Sequence, residues 1–445
     1  MANYAEQADC PFLVTSPSPM LIKLMRITGL DRKFLSPSLN AQYHHATVKK
    51  EHRDQPGGIM SDVVLQTALS MPTNFRFGEA SSITAPTTTA APAPSLGPLT
   101  AFTGTFRGSG FNTIFRPDNA KTPTKLPVSL PVGDNVLELN LTEETLSFSP
   151  PLGAVPNRGE VQGDITLNGV PYLQVINDVT LPGHPVGIHF EPGLWMAVPA
   201  TTDPAEGVTL VRMASIPHGT TIEAQGKSST INGKPVIPAI DITPFATGQP
   251  NAKVPFPSQT ASQEQEPRIP QNLASFIAAG TITQAMLTDP ATLLRNHIAS
   301  QAITSTTVIS ISTAPASPLF GGGTDNIAFL LGNPTASSPN AQALKMEAVF
   351  WIETVEYSIP VPIFVPGQPP LIIPAEAGAA GQPVPEFTIN PPIPIKAPRT
   401  IKVAATQIQY AQQVFLNFNG LTWPHVSVAT LVPAGPLPVP ASAWT

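Results

Sequence analysis

The 54 prolines among 445 residues constrain this chain more than any other feature. The pyrrolidine ring fixes φ and removes the backbone N–H, which excludes proline from helix interiors and central strands. A proline share more than twice the usual one of about 5% predicts short elements joined by long irregular connections. It argues against a mostly helical protein. The hydrophobic fraction of 42% is enough for a core, whereas charged residues supply only 12%, about half the ordinary share.

Charge and cysteine usage exclude several function classes. A net charge of −6 with 23 Lys and Arg leaves no dense basic face for a phosphate backbone, so nucleic acid is excluded as a partner. The basic cluster Lys49-Lys50-Glu51-His52-Arg53 is interrupted by acid and reads as a solvated stretch. Cys10 is the only cysteine, which rules out a disulfide framework and cysteine-ligated zinc or iron–sulfur sites. The opening "MANYAEQADCPFLV" lacks the basic and apolar segments of a signal peptide. No stretch approaches the roughly 18 apolar residues of a membrane span. The expectation is a cytoplasmic protein without a membrane span.

Residues 1–95 read as an N-terminal arm ending in a Thr/Ala/Pro linker. From 96 to 226 the texture is β, with alternation in "DNVLELNLTEETLSFSP" and two strands expected to turn at Asn168-Gly169 in "DITLNGVPYLQVINDVT". Residues 227–302 combine a polar loop with the one helical pattern, "NLASFIAAGTITQAMLTDPATLLRNHIASQ", for which Asp289-Pro290 is an N-cap signal. β texture resumes over 303–434, around a proline-rich loop near 360–398, and 435–445 form a tail. Short strands between Gly and Pro punctuation predict a mainly β fold, a sandwich or barrel. The barrel is the expected form, interrupted by a partly helical insertion and carrying long Pro-rich loops.

Several catalytic motifs fail on spacing. "GTTIEAQGKSS" has six residues between its glycines where a phosphate loop has four. His189-Phe190-Glu191 gives the H-x-E of zinc deaminases, but their cysteine pair is missing. His44, His45 and His52 have no carboxylate pattern to complete a metal site, and no G-x-S-x-G elbow occurs.

What survives is "GTFRGSGFNTIF", with Gly104, Gly108 and Gly110 within seven residues. Glycines at such positions let another strand or a flat ligand approach the backbone, and barrel closure with a planar ligand explains them better than phosphate does. The stretch resembles the G-x-W-x-G-x-G and Tyr-Pro-Thr-Ile signature of the nitrobindins, small heme-binding barrels of the calycin type, with Phe106 in place of Trp. Ile188, His189, Glu191, Gly193 and Leu194 are similar to that family's Leu-His-x-Glu-x-Gly-Phe pattern. "SIPHGTTIEAQG" resembles its His-Pro-Thr-Gly strand. Tyr410, Leu421, His425, Val426, Ala429 and Leu431 fall in the register of its closing hairpin. The matches cover about a third of the chain.

The resemblance implies an antiparallel up-and-down barrel holding ferric heme b. It implies His425 as the axial ligand to iron, Thr113 and Ile114 as heme contacts at the mouth, and His189 as the catalytic distal residue. The implied activity is on peroxynitrite or nitric oxide, or a peroxidase-like reaction on a small substrate. Arg107 and Arg116 are candidates to pair with propionates, and His297 for a lid. From the residues alone, His425 reads as a hydrogen-bonded core histidine ahead of a ligand, and His189 equally as a strand residue paired with Glu191. Two further classes stay open: a heme-free carrier of a lipid or other apolar ligand, and a structural protein that self-associates as a homo-oligomer.

Overall fold

The computed structural model describes residues 92–126, 135–315, 321–333, 339–377 and 381–444, with positions 71, 72, 75, 77 and 78. Cys10, the basic cluster, the three early histidines and most of the linker lie outside the described residues.

Ten strands form a closed antiparallel up-and-down barrel: β1 (Gly104–Pro117), β2 (Asn135–Phe148), β3 (Ile165–Asp178), β4 (Val186–Val198), β5 (Thr209–Ile216), β6 (Thr220–Asn232), β7 (Ala302–Ser312), β8 (Gln342–Val361), β9 (Arg399–Phe418) and β10 (Leu421–Pro433). Each strand pairs with its neighbours in sequence, and the ring closes where β1 pairs with β10, Phe106 opposite Pro433. This is a calycin-like barrel, and closure leaves no exposed sheet edge in the ring.

Alternation along each strand divides the side chains between two cores. On β1, Phe106 belongs to the cluster inside the barrel, whereas Phe111 and Phe115 belong to a second cluster outside it. The outer cluster exists because the connections fold back on the wall. Helices α1 (Ala274–Ala279), α2 (Gln284–Thr288) and α3 (Thr292–Ile298) bring Met286, Leu287, Leu294 and Ile298 against the outward residues of β1, β8 and β10. The proline-rich 362–398 region adds Phe364, Phe387 and Ile389 to the same layer. The insertion therefore covers a wall of the barrel and not its mouth. His297, expected as a lid residue, is buried in that layer.

The glycines answer to backbone crowding. A Cβ on Gly108 would lie 1.9 Å from the Thr430 carbonyl oxygen of β10, and one on Gly226 of β6 would lie 1.8 Å from that of Ser310 on β7. β1 and β6 are opposite staves of the ten, so each supplies a site where the sheet can fold sharply against its neighbour. Neither Gly108 nor Gly110 lines the cavity described below. Closure accounts for them, and a planar ligand against this backbone does not.

Asn168-Gly169 is not a turn. Both residues lie inside the continuous β3, where a Cβ on Gly169 would meet the Trp195 carbonyl oxygen at 2.7 Å. Asn168 uses its side chain to tie down the chain before the barrel, donating to the Pro94 carbonyl at 2.8 Å. The expected long helix is broken into three, and Asp289 accepts from the backbone N–H groups of Ala291 and Ile240 at 3.1 and 2.9 Å. Proline at 290 and glycine at 280 enforce those breaks.

Candidate functional site

The lower end of the lumen is filled. A 3₁₀ turn at Gly97–Ala101 enters beneath the strands and inserts Leu99 and Phe102, 0% and 1% exposed. Phe102 stacks on Phe148 at 4.6 Å between centroids and meets the edge of Trp195, which in turn packs on Phe350. Among the described residues the lumen therefore opens at the end where β1 finishes and β2 begins.

Above the aromatic plug lies a belt of buried polar groups. The Glu191 carboxylate accepts from Arg212 Nη2, from the Tyr172 hydroxyl and, at 3.1 Å, from His189 Nε2. Arg212 also donates to the Tyr172 hydroxyl at 2.8 Å and to Gln412 at 2.7 Å. Glu191 and Arg212 are 0% and 1% exposed. Burial alone would raise the Glu191 pKa, but the Arg212 guanidinium, followed by His189, outweighs it and holds the carboxyl at about 2. Beside this network, Glu144 accepts from the Tyr410 hydroxyl at 2.6 Å, from Thr142 at 2.9 Å and from Gln174 at 3.3 Å. Desolvation raises its pKa in spite of these bonds.

Above the belt opens a cavity of about 640 Å³, within the 300–1,000 Å³ range of small-molecule and cofactor sites. Its two walls differ. β1, β2 and β10 present Asn112, Arg116, Glu138, Asn140, His425 and Ser427, whereas β4 to β6, β8 and β9 present mainly aliphatic side chains. A short helix, α4 (Ala328–Leu331), adds Leu330 at the rim.

The two principal histidines expected from the sequence, His189 and His425, line this one cavity, and so does His218. His425 projects from β10, opposite the β5–β6 turn that carries His218. Burial, reinforced by the proximity of His189 and His218, lowers the His425 pKa to about 3, so its imidazole is neutral at physiological pH. Its Nε2 lies 3.4 Å from the Asn112 amide nitrogen, which also donates to Ser427 at 2.7 Å. An amide N–H only donates, so Nε2 presents its lone pair and Nδ1 carries the proton. That Nδ1 is buried without a partner.

Thr113 and Ile114 part company. Ile114 lines the cavity, while Thr113, one residue out of phase, is wholly buried on the outward face with Phe111 and Phe115. Of the two arginines, Arg116 stands at the mouth, 3.3 Å from Glu138, and Arg107 points outward, 4.0 Å from Glu386. Among the described residues no group of three His, Cys, Asp or Glu side chains is gathered as a metal site, and no helix is long and apolar enough to cross a membrane. Tyr172, Arg212 and Gln412 had no motif to announce them.

No family model matches this chain, and no curated protein matches it. One solved structure, titled "Crystal Structure of Rv2717c from M. tuberculosis", aligns with 77% of this chain and 99% of its own. The identity is 11% and the TM-score 0.29, a likeness too slight to assign a function.

Proposed function

We propose that the upper lumen binds heme b, with His425 as the residue that would ligate its iron and His189 as a polar group that would face the bound ligand. The observation that carries this reading is a neutral imidazole with its Nε2 lone pair on the wall of a closed-bottom cavity of cofactor size. The residues fit in three respects: the ring is uncharged, the facing wall carries Ile188, Ile216, Ile222, Val414 and Leu416, and Ile114 lines the cavity near its mouth. One departure is that Nδ1 has no acceptor, whereas metal-ligating histidines almost always donate their other N–H. A second is that the Nε2 lone pair faces the Asn112 amide at 3.4 Å, a contact that ligation would displace.

When bound, the iron would supply redox and Lewis-acid chemistry toward peroxynitrite, nitric oxide or a peroxide. The chain's own contribution is positional. Glu191 can only accept, so His189 Nε2 carries a proton and Nδ1 is the free nitrogen. Arg116 at the rim is the group available to an anionic edge of the ligand.

A second reading rests on that same wall. Ile176, Ile188, Ile216, Ile222, Val414 and Leu416 suit a lipid or other apolar molecule without iron. An absorption spectrum of the full-length protein, before and after addition of hemin, decides between them. The heme reading expects a Soret band that shifts or disappears in His425→Ala. Absence of any heme uptake by the wild type would leave the apolar carrier.

A further inference from the structure

His189 and His218 share a feature that heme ligation by His425 does not use. His189 Nε2 is 3.1 Å from a carboxylate oxygen of Glu191, and His218 Nε2 is 3.1 Å from the backbone carbonyl oxygen of Ile188. Both oxygens are acceptors only, so each ring donates from Nε2, and Nδ1 is the nitrogen that offers a lone pair when the ring is neutral. The two rings are neighbours, with centroids 6.1 Å apart and planes tilted by 35°, and both line the cavity.

We infer that His189 and His218 form a two-histidine site for a divalent transition-metal ion at the mouth of the lumen. Histidines that bind metals almost always donate the opposite ring N–H to a carboxylate or a backbone carbonyl, which fixes tautomer and ring orientation. Both acceptors are already in place. An imidazole nitrogen lies about 2.0–2.1 Å from a bound zinc ion, so two rings on one ion have centroids roughly 5–6.5 Å apart, and the observed spacing falls in that interval. The supports are rigid. Glu191 is locked by Arg212 and Tyr172, and the turn bearing His218 is closed by the Gly219 N–H bonding to the Ile216 carbonyl. With two protein ligands, the remaining coordination positions fall to water or to a ligand in the lumen. That is the arrangement of an open site and not of a structural one.

Cu²⁺ is the sensitive probe, since it stands highest in affinity among the divalent first-row ions for nitrogen sites. Titration of the heme-free full-length protein should show one equivalent bound, with electron paramagnetic resonance reporting two coordinated imidazole nitrogens. His218→Ala, a change at an exposed side chain, and His189→Ala should each abolish the two-nitrogen signal. His425→Ala should preserve it. Glu191→Gln, checked for folding by circular dichroism, should weaken binding by about 10–100-fold. Wild-type affinity in His218→Ala overturns the proposal, and so does a loss of the signal in His425→Ala. The titration involves no heme, so its result is separable from the spectroscopic test of the heme reading.

Discussion

The two ends of the lumen are built from the same ten strands and yet are opposite in design. In the lower half, aromatic rings fill the space and the Arg212 cation donates from each of its three guanidinium nitrogens, to Tyr172, Gln412 and Glu191. In the upper half, space is left open, and His425 has a ring nitrogen without a partner. A buried ion pair is weak evidence for stability, since desolvation offsets much of its attraction. Its value here is placement: the pair sits where the packed half meets the open half and holds His189 at the boundary. The lower half is packed scaffold, and the upper half is the part whose polar groups line open space.

The largest effect that would break this comparison is expected from Arg212→Ala, which strands the Glu191 carboxylate in the interior. We expect a loss of about 3–5 kcal/mol, read from urea unfolding at pH 7. Phe102→Ala should cost about 3 kcal/mol or more, through the cavity left in the plug. A loss below 1 kcal/mol would mean that the lower half is not a packed scaffold.

A control lies on the outer wall, under the inserted helices. Glu353 is fully buried with one carboxyl oxygen unpartnered, and burial raises its pKa to about 8 against the hydrogen bond from Gln407. The folded state therefore retains a proton that the unfolded chain releases near 4.5. Stability contributed by this group is fully present below that value and is lost as pH rises toward about 8. Glu353→Gln should flatten the decline of stability between about pH 4.5 and about pH 8; an unchanged slope there would place the titration elsewhere.

The smallest effect is expected in the upper half. With its pKa lowered to about 3, His425 stays neutral in the folded state where the unfolded chain takes up a proton near 6.5. It therefore lowers stability as pH falls from about 6.5 to about 3. His425→Ala should change stability at pH 7 by less than about 1 kcal/mol, in keeping with a group whose Nδ1 gains no hydrogen bond. It should also weaken the acid-side decline. A loss as large as that from Phe102→Ala would make His425 a structural residue.

The barrel itself was legible because its signals are local. Proline and glycine mark the connections, alternation marks the strands, and a polar, helix-patterned segment separates β6 from β7. Asn168-Gly169 misled because a strong turn pair was used for a different purpose: Gly169 lets β3 pass close to Trp195, and Asn168 anchors the chain before the barrel. Thr113 and Ile114 show the limit of a motif without phase. Adjacent strand residues face opposite ways, and only the inward set with Phe106, Asn112 and Arg116 can reach the lumen. His189 and His425, singled out by the resemblance of their own strands to a known family, both line the cavity. Arg212 and Gln412 come from strands far apart in sequence, and nothing local to either shows that they meet.

Closure of the barrel by β1 against β10 has a consequence for how the protein is made. Every other stave contacts its neighbours as soon as the next one is synthesised, but the first strand must wait for the last. Pairing of such high sequence separation folds slowly, so a nascent chain carries nine staves with two open edges until β10 has left the ribosome. The cavity comes into being only at that step. Any occupant of the lumen is therefore acquired after the ring has closed, through its mouth, or is enclosed as the final strand docks.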